Sequence, residues 1–195
     1  MADVSKLFGT IQSAVHADGE HVIKCIMRTC EEMLQDRGCE VIRRVDDVLA
    51  KASDPVPKPV LRGLAADGSG GYAVFLCADG DRVGVRYARA VLEKNEEESL
   101  KPIIVSVMGP TFFTRKECDG IQFFTARELC FNVTKHALVP CHRAVANPGV
   151  DAALLPKLSI TDPVVRYHDW PQGTIVHIRR VFGGHEPSTY FRVVE

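Results

Sequence analysis

The sequence predicts an α/β protein, α+β overall: a larger N-terminal domain built on a mixed sheet with flanking helices, and a small β-rich C-terminal domain. Three observations predict it. Apolar residues recur at helical spacing over residues 20–34. Strand-like and helix-like stretches alternate over residues 72–133, a layered α/β pattern. Two runs rich in β-branched residues, 174–181 and 188–195, flank a Gly183-Gly184 break and read as an antiparallel hairpin. The domain boundary is expected between residues 133 and 134.

Residues 1–18 show no clear period and are expected to form a loose end or a short helix. From Glu20, the positions Ile23, Ile26, Met27, Cys30, Met33 and Leu34 make one apolar helix face, with Lys24, Arg28, Glu31 and Glu32 opposite. Gly38 stands where a left-handed helix cap is needed. Val41, Val45, Val48 and Leu49 suggest a shorter second helix. Residues 53–71, rich in Pro and Gly, read as a loop or linker. Strands are expected at 72–77 and 82–87, joined by the Asp79-Gly80 turn, followed by a helix over 88–99 that Pro102 stops. Residues 103–107 form a continuous apolar run suited to a central strand. Residues 110–120 read mostly as loop and 121–124 as a strand. Thr125-Ala126-Arg127-Glu128 is a capping box that starts a helix through about Val133.

The last forty residues organise the rest. Asp162-Pro163 forces a turn, because the proline ring presets its own φ and pushes the preceding residue out of helical space. A second break lies at Pro171-Gln172-Gly173. A hairpin alone is marginal in water, so this segment reads as a docking module that something else covers.

Composition narrows the function. The formal net charge is -1 across 195 residues, and residues 134–195 hold seven Lys and Arg against five Asp and Glu. Any DNA contact must therefore be local and supported by a partner. No apolar run approaches the roughly 20 residues that span a bilayer, and no secretory leader is visible at the N-terminus, so a cytosolic or nuclear location without membrane contact is expected. Seven irregularly spaced cysteines fit free thiols better than a disulfide framework.

No catalytic, cofactor-binding or metal site is expected. Gly68-Ser69-Gly70-Gly71 lacks the Lys and Ser/Thr offsets of a phosphate loop. Asp79 and Asp81 could serve a metal-dependent nuclease, but arginines follow where its lysine and acid should stand, and turn residues are the better reading. Cys25, Cys30, His136, Cys141 and His142 lack the close pairs of structural zinc sites, and Cys141-His142 lacks an orienting third group. Arg166, Arg179, Arg180 and Arg192 suit either phosphate or the carboxylates of a protein partner. Trp170 suits an exposed anchor and a core position equally.

Several segments together resemble one family. Leu155-Pro156, Asp162-Pro163-Val164-Val165-Arg166-Tyr167, Gly173, Ile178-Arg179 and Tyr190 with Arg192-Val193-Val194 are similar to the C-terminal signature of the fifth subunit of eukaryotic nuclear RNA polymerases and of its archaeal counterpart. His136-Ala137-Leu138-Val139-Pro140-Cys141-His142 resembles that family's H-x-L-V-P-x-H linker. Met33-Leu34-Gln35-Asp36-Arg37-Gly38 resembles its M-L-x-D-R-G-Y segment, with Cys39 where an aromatic is usual. The resemblance implies a non-catalytic polymerase subunit in the nucleus, the nucleolus included. Its N-terminal domain would form a jaw near downstream duplex DNA, and its C-terminal assembly domain would bind the largest subunit and its neighbours. The implied docking residues are His136, Pro140, His142, Pro156, Asp162, Pro163, Arg166, Tyr167, Gly173, Arg179, Tyr190 and Arg192. No cofactor and no homo-oligomer is implied. The shortened spacer after the linker motif, residues 143–154, points to a divergent paralogue dedicated to one polymerase, such as the ribosomal-RNA enzyme. Two alternatives from other classes are an adaptor outside the polymerase and a degenerate nuclease-like protein.

Overall fold

An amphipathic helix begins the described chain. The computed structural model describes residues 19–43, 58–68, 70–77, 82–96, 99–146, 149–181 and 186–195. Helix α1 spans Gly19–Asp36 and buries Met27, Cys30, Met33 and Leu34. Each such fully buried Met or Leu contributes about 1.5–3 kcal/mol. The helix ends as read from the sequence, with Gly38 at φ 80° and its N–H donated to the Gln35 carbonyl at 2.8 Å.

Contact between residues divides the chain into two compact units, Met1–Phe131 and Asn132–Glu195. In the first, five strands follow one another in the sheet in chain order: β1 Cys39–Arg43, β2 Leu61–Ala65, β3 Gly71–Cys77, β4 Leu100–Ser106 and β5 Gln122–Thr125. The pairs β1–β2 and β2–β3 are antiparallel, whereas β3–β4 and β4–β5 are parallel. Parallel neighbours need crossovers, which helix α2, Val85–Glu96, and helix α3, Phe112–Glu117, supply. On one sheet face Leu34 of α1 packs on Gly63, and Arg37 lies 4.6 Å over the Tyr72 ring while donating to Gln122 Oε1 at 2.9 Å. On the other, Ala73, Phe75 and Ile104 pack with Ala88 and Val91 of α2 and with Cys118 beyond α3. Strand β4 is buried from Pro102 to Ser106, the expected central strand. Pro102 sits inside it, ahead of the residues that pair with β5, where a missing N–H costs the ladder least.

The α/β class with two mixed sheets agrees with the sequence reading, and several elements differ from it. Residues 39–43 form an edge strand where a helix is expected; residues 1–18 and Val45, Val48 and Leu49 lie outside the described residues. Residues 61–65 form a strand inside the Pro/Gly-rich stretch, because Gly63 is there for packing: a Cβ on it would approach Leu34 and Cys39 side chains at 3.0–3.3 Å. Residues 82–87 are not a strand. Only Val83 pairs, bridging Pro110, and the helix starts at Val85, since the alternation of Val83, Val85 and Tyr87 runs into the helical spacing of Ala88, Val91 and Leu92. Asp79 and Asp81 lie outside the described residues. Residues 112–117 are helical, started by Thr111, whose hydroxyl accepts from the Thr114 N–H at 3.2 Å. The Thr125 capping box forms both of its bonds, but helix α4 is only Ala126–Leu129, followed by a 3-10 turn at Val133–Lys135.

The second unit holds a four-stranded sheet in the order β6-β8-β9-β7: β6 Cys141–Val145, β7 Lys157–Leu158, β8 Ile175–Arg180 and β9 Ser188–Val194. The expected hairpin is β8–β9, antiparallel from Ile175↔Val193 to Arg180↔Ser188; Gly183 and Gly184 between them lie outside the described residues. Strands β6 and β7 and helix α5, Pro163–His168, enlarge it beyond the two runs legible in the sequence. They also supply the cover a bare hairpin lacks, as Val165 packs with Leu158, Val176, Ile178 and Val194.

Candidate docking surface

Helix α5 is made by its first two residues. Asp162, at φ −57° and ψ 135°, accepts from the Val164 N–H at 2.8 Å and the Val165 N–H at 3.4 Å. Pro163 takes the first helical position, where its missing N–H costs nothing. The turn read from this dipeptide is thus a helix start. Asp169 ends the helix in left-handed geometry, and Trp170 then stacks on His168 with ring centres 4.4 Å apart. Trp170 is half-buried and packs against the core.

Tyr167 points inward. It is 2% exposed, and its hydroxyl accepts from Asn132 Nδ2 at 2.9 Å. Asn132, which the sequence did not single out, also accepts through Oδ1 from the Thr134 N–H and hydroxyl at 2.9 and 2.6 Å. Gly173 adopts φ 87°, which glycine tolerates, and donates its N–H to the Val194 carbonyl at 2.9 Å. Pro156 accepts from the Val193 N–H at 3.0 Å, which sets β7 beside β9. Arg192 donates to the Lys157 carbonyl at 3.0 Å and lies 5.7 Å from the Tyr190 ring centre.

The linker residues lead into β6. His136 Nδ1 accepts from the Leu138 N–H at 3.2 Å, so in the neutral ring its proton sits on Nε2. His142 Nδ1 lies 2.7 Å from the Pro140 carbonyl; a carbonyl only accepts, so this nitrogen carries the proton. Cys141 and His142 are consecutive strand residues and face opposite sides of the sheet, which separates them as a nucleophile and base. They begin strand β6.

Pro140 and Arg179 come together in one open groove of about 480 Å³, lined by residues 137–141 and 179–181. Arg180, Leu138 and Val181 join them there. Arg166 does not line this groove; it is half-buried on α5, and Asp162 and Pro163 are on the same helix start. The four arginines therefore do not form one phosphate-binding cluster. The signal for the groove was Leu138 in the segment leading to Pro140, but only the pairing of Cys141 with Arg179 brings residue 138 to residue 181.

Among the described residues, no group of three or more His, Cys, Asp or Glu is placed to hold a metal ion. Cys25 Sγ lies 3.5 Å from His21 Nε2. Burial pushes the Cys30 thiol up to about 12, against a smaller opposing pull from Arg37. Burial also raises Cys39, Cys118 and Cys130, and such thiols are poor nucleophiles. No described helix is long and apolar enough to cross a membrane.

Comparison with known proteins bears on the same unit. Residues 131–194 match the family model for the RNA polymerase Rpb5, C-terminal domain. The chain is similar to the subunit RPABC1 of DNA-directed RNA polymerases I, II, and III from Caenorhabditis briggsae and Caenorhabditis elegans. Each is 25% identical over 115 residues, covering 51% of this chain and 54% of the relative. It is also similar to DNA-directed RNA polymerase subunit 5-like protein 1 of Arabidopsis thaliana, 26% identical over 183 residues, covering 80% of this chain and 87% of the relative. The chain thus spans about half the length of the nematode relatives it matches. The resemblance read from the sequence is borne out, at a level of identity that suits a divergent paralogue.

Proposed function

We propose, from the premise that residues 131–194 carry an RNA polymerase Rpb5 C-terminal domain, that this chain is a non-catalytic structural subunit of a nuclear DNA-directed RNA polymerase. Its C-terminal unit docks on the largest subunit and neighbouring subunits. Its N-terminal unit forms a jaw near downstream duplex DNA, which the partners hold in place. The observation that carries the reading is the coincidence of the family match with one compact unit, Asn132–Glu195.

The twelve docking residues then divide by task. Tyr167, Gly173, Pro156 and Asp162 hold the backbone and the core that present the surface, acting from behind it. His136, Pro140, His142, Pro163, Arg166, Arg179, Tyr190 and Arg192 retain exposure and offer side chains to a partner. Guanidinium groups suit this work because they form paired bonds with carboxylates.

The test is a tagged pull-down from nuclear extract with identification of what co-purifies. Recovery of one polymerase's largest subunit supports a dedicated paralogue, and recovery of several makes the subunit shared. Sedimentation away from all polymerase subunits refutes the reading in favour of an adaptor. Arg166→Glu should release the chain from the largest subunit while leaving its N-terminal unit folded. Undiminished co-purification of that variant refutes the role assigned to Arg166.

A further inference from the structure

Strand β6 is an edge of the four-stranded sheet, paired only with β8 among the described residues. The pairing stops at Cys141↔Arg179, although β8 continues to Arg180 through its pairing with β9. The chain turns away there: the Val139 N–H, the next that would face β8, donates to the His136 carbonyl at 2.9 Å. Beyond this point the two segments diverge and leave the groove of about 480 Å³ between residues 137–141 and 179–181. That volume falls in the roughly 300–1,000 Å³ range of sites that hold small ligands or short peptide segments.

The lining has a distinct chemistry. Leu138 is 86% exposed and Val181 65% exposed, far more than aliphatic residues of a folded unit need to be. Among the described lining residues Arg179 and Arg180 are the charged ones. There is no aromatic side chain among the described lining residues on which nucleic-acid bases would stack.

We propose that this groove receives an extended segment of a partner protein that carries both acidic and aliphatic residues. Its carboxylates meet Arg179 and Arg180, and its aliphatic side chains cover Leu138, Val139 and Val181. An extended segment fits because Arg179 and Arg180, consecutive in β8, face opposite sides and can be met by carboxylates on both sides of one extended chain. The inference deepens the docking reading by naming the chemistry of the docked segment, and rests on that reading only for the partner's identity.

The test uses the full chain and a fluorescent short peptide of alternating leucine and glutamate, titrated by anisotropy beside a leucine–lysine counterpart. The glutamate peptide should bind and the lysine peptide should not. The double substitution Arg179→Glu with Arg180→Glu should weaken binding by about tenfold or more, and Leu138→Asp should do the same. Trp170 fluorescence and circular dichroism check that both variants remain folded. As an independent readout, bound peptide should slow alkylation of Cys141, an exposed thiol in the lining. Equal binding of the two peptides, displacement of the glutamate peptide by inorganic phosphate, or indifference to the substitutions would overturn the proposal. If the glutamate peptide fails to bind while the tagged chain still recovers polymerase subunits, the groove is refuted and docking stands. Peptide binding by a chain that recovers no polymerase supports the groove and refutes docking.

Discussion

Replacing Tyr167 with phenylalanine isolates one buried hydrogen bond in the C-terminal unit. The ring is 2% exposed, so Tyr167→Phe keeps its apolar contacts and removes only the hydroxyl that Asn132 Nδ2 reaches at 2.9 Å. Asn132 is itself buried, and its Oδ1 is held by the Thr134 N–H and hydroxyl, so the amide cannot turn without breaking both bonds. A buried donor left without its partner costs about 1–3 kcal/mol. In a unit of this size that lowers the midpoint of thermal unfolding by roughly 4–8 °C per kcal/mol. The chain has one tryptophan, Trp170, packed against the same core, so its fluorescence reports the unfolding of this unit. A cycle with Asn132→Ala should show a coupling of about 0.5–3 kcal/mol between the two residues. A Tyr167→Phe protein within about 0.5 kcal/mol of the parent, a change typical of neutral surface sites, would refute the reasoning.

Other perturbations test the N-terminal unit. The unfolded chain releases the Cys30 proton near pH 9, whereas the folded chain keeps it to about 12. This thiol therefore leaves stability unchanged below pH 9, and lowers it by about 1.4 kcal/mol per unit between the two values. Urea unfolding of the parent and of Cys30→Ala should diverge in slope over that window; parallel pH profiles would contradict the assignment. A Cβ at residue 71 would fall 2.0 Å from the Gly63 carbonyl oxygen. Gly71→Ala should accordingly open the β2–β3 pairing and cost more than about 3 kcal/mol, measured by chemical unfolding followed by far-ultraviolet circular dichroism. The control Gly84→Ala, with nothing within 4 Å of its Cβ, should stay within about 0.5 kcal/mol. Equal effects of the two substitutions would refute the close-approach explanation.

The sequence by itself determined the elements whose signals are local. Helix α1 with its Gly38 end, the Thr125 capping box, the central strand β4 and the β8–β9 hairpin follow from spacing, capping chemistry and β-branched content, which act within a few residues. The motif of residues 136–142 and the Asp162-Pro163 signature, likewise contiguous, were enough to show a resemblance to the polymerase-subunit family, which the match over residues 131–194 bears out. Tertiary structure decided the rest. Whether residues 82–87 became strand or helix depended on which pattern could be buried, and Ala88 and Val91 against Phe75 settled it. Gly63 reads as a loop residue until Leu34 is packed on it, and Asn132 as an ordinary polar residue until Tyr167 is placed beside it. The groove is the furthest from legibility, because Leu138 and Val181 are 43 positions apart and meet only through the register of β6 on β8. Local preferences are written in neighbouring residues, whereas a surface made by distant segments exists only once the backbone pairing between them has formed.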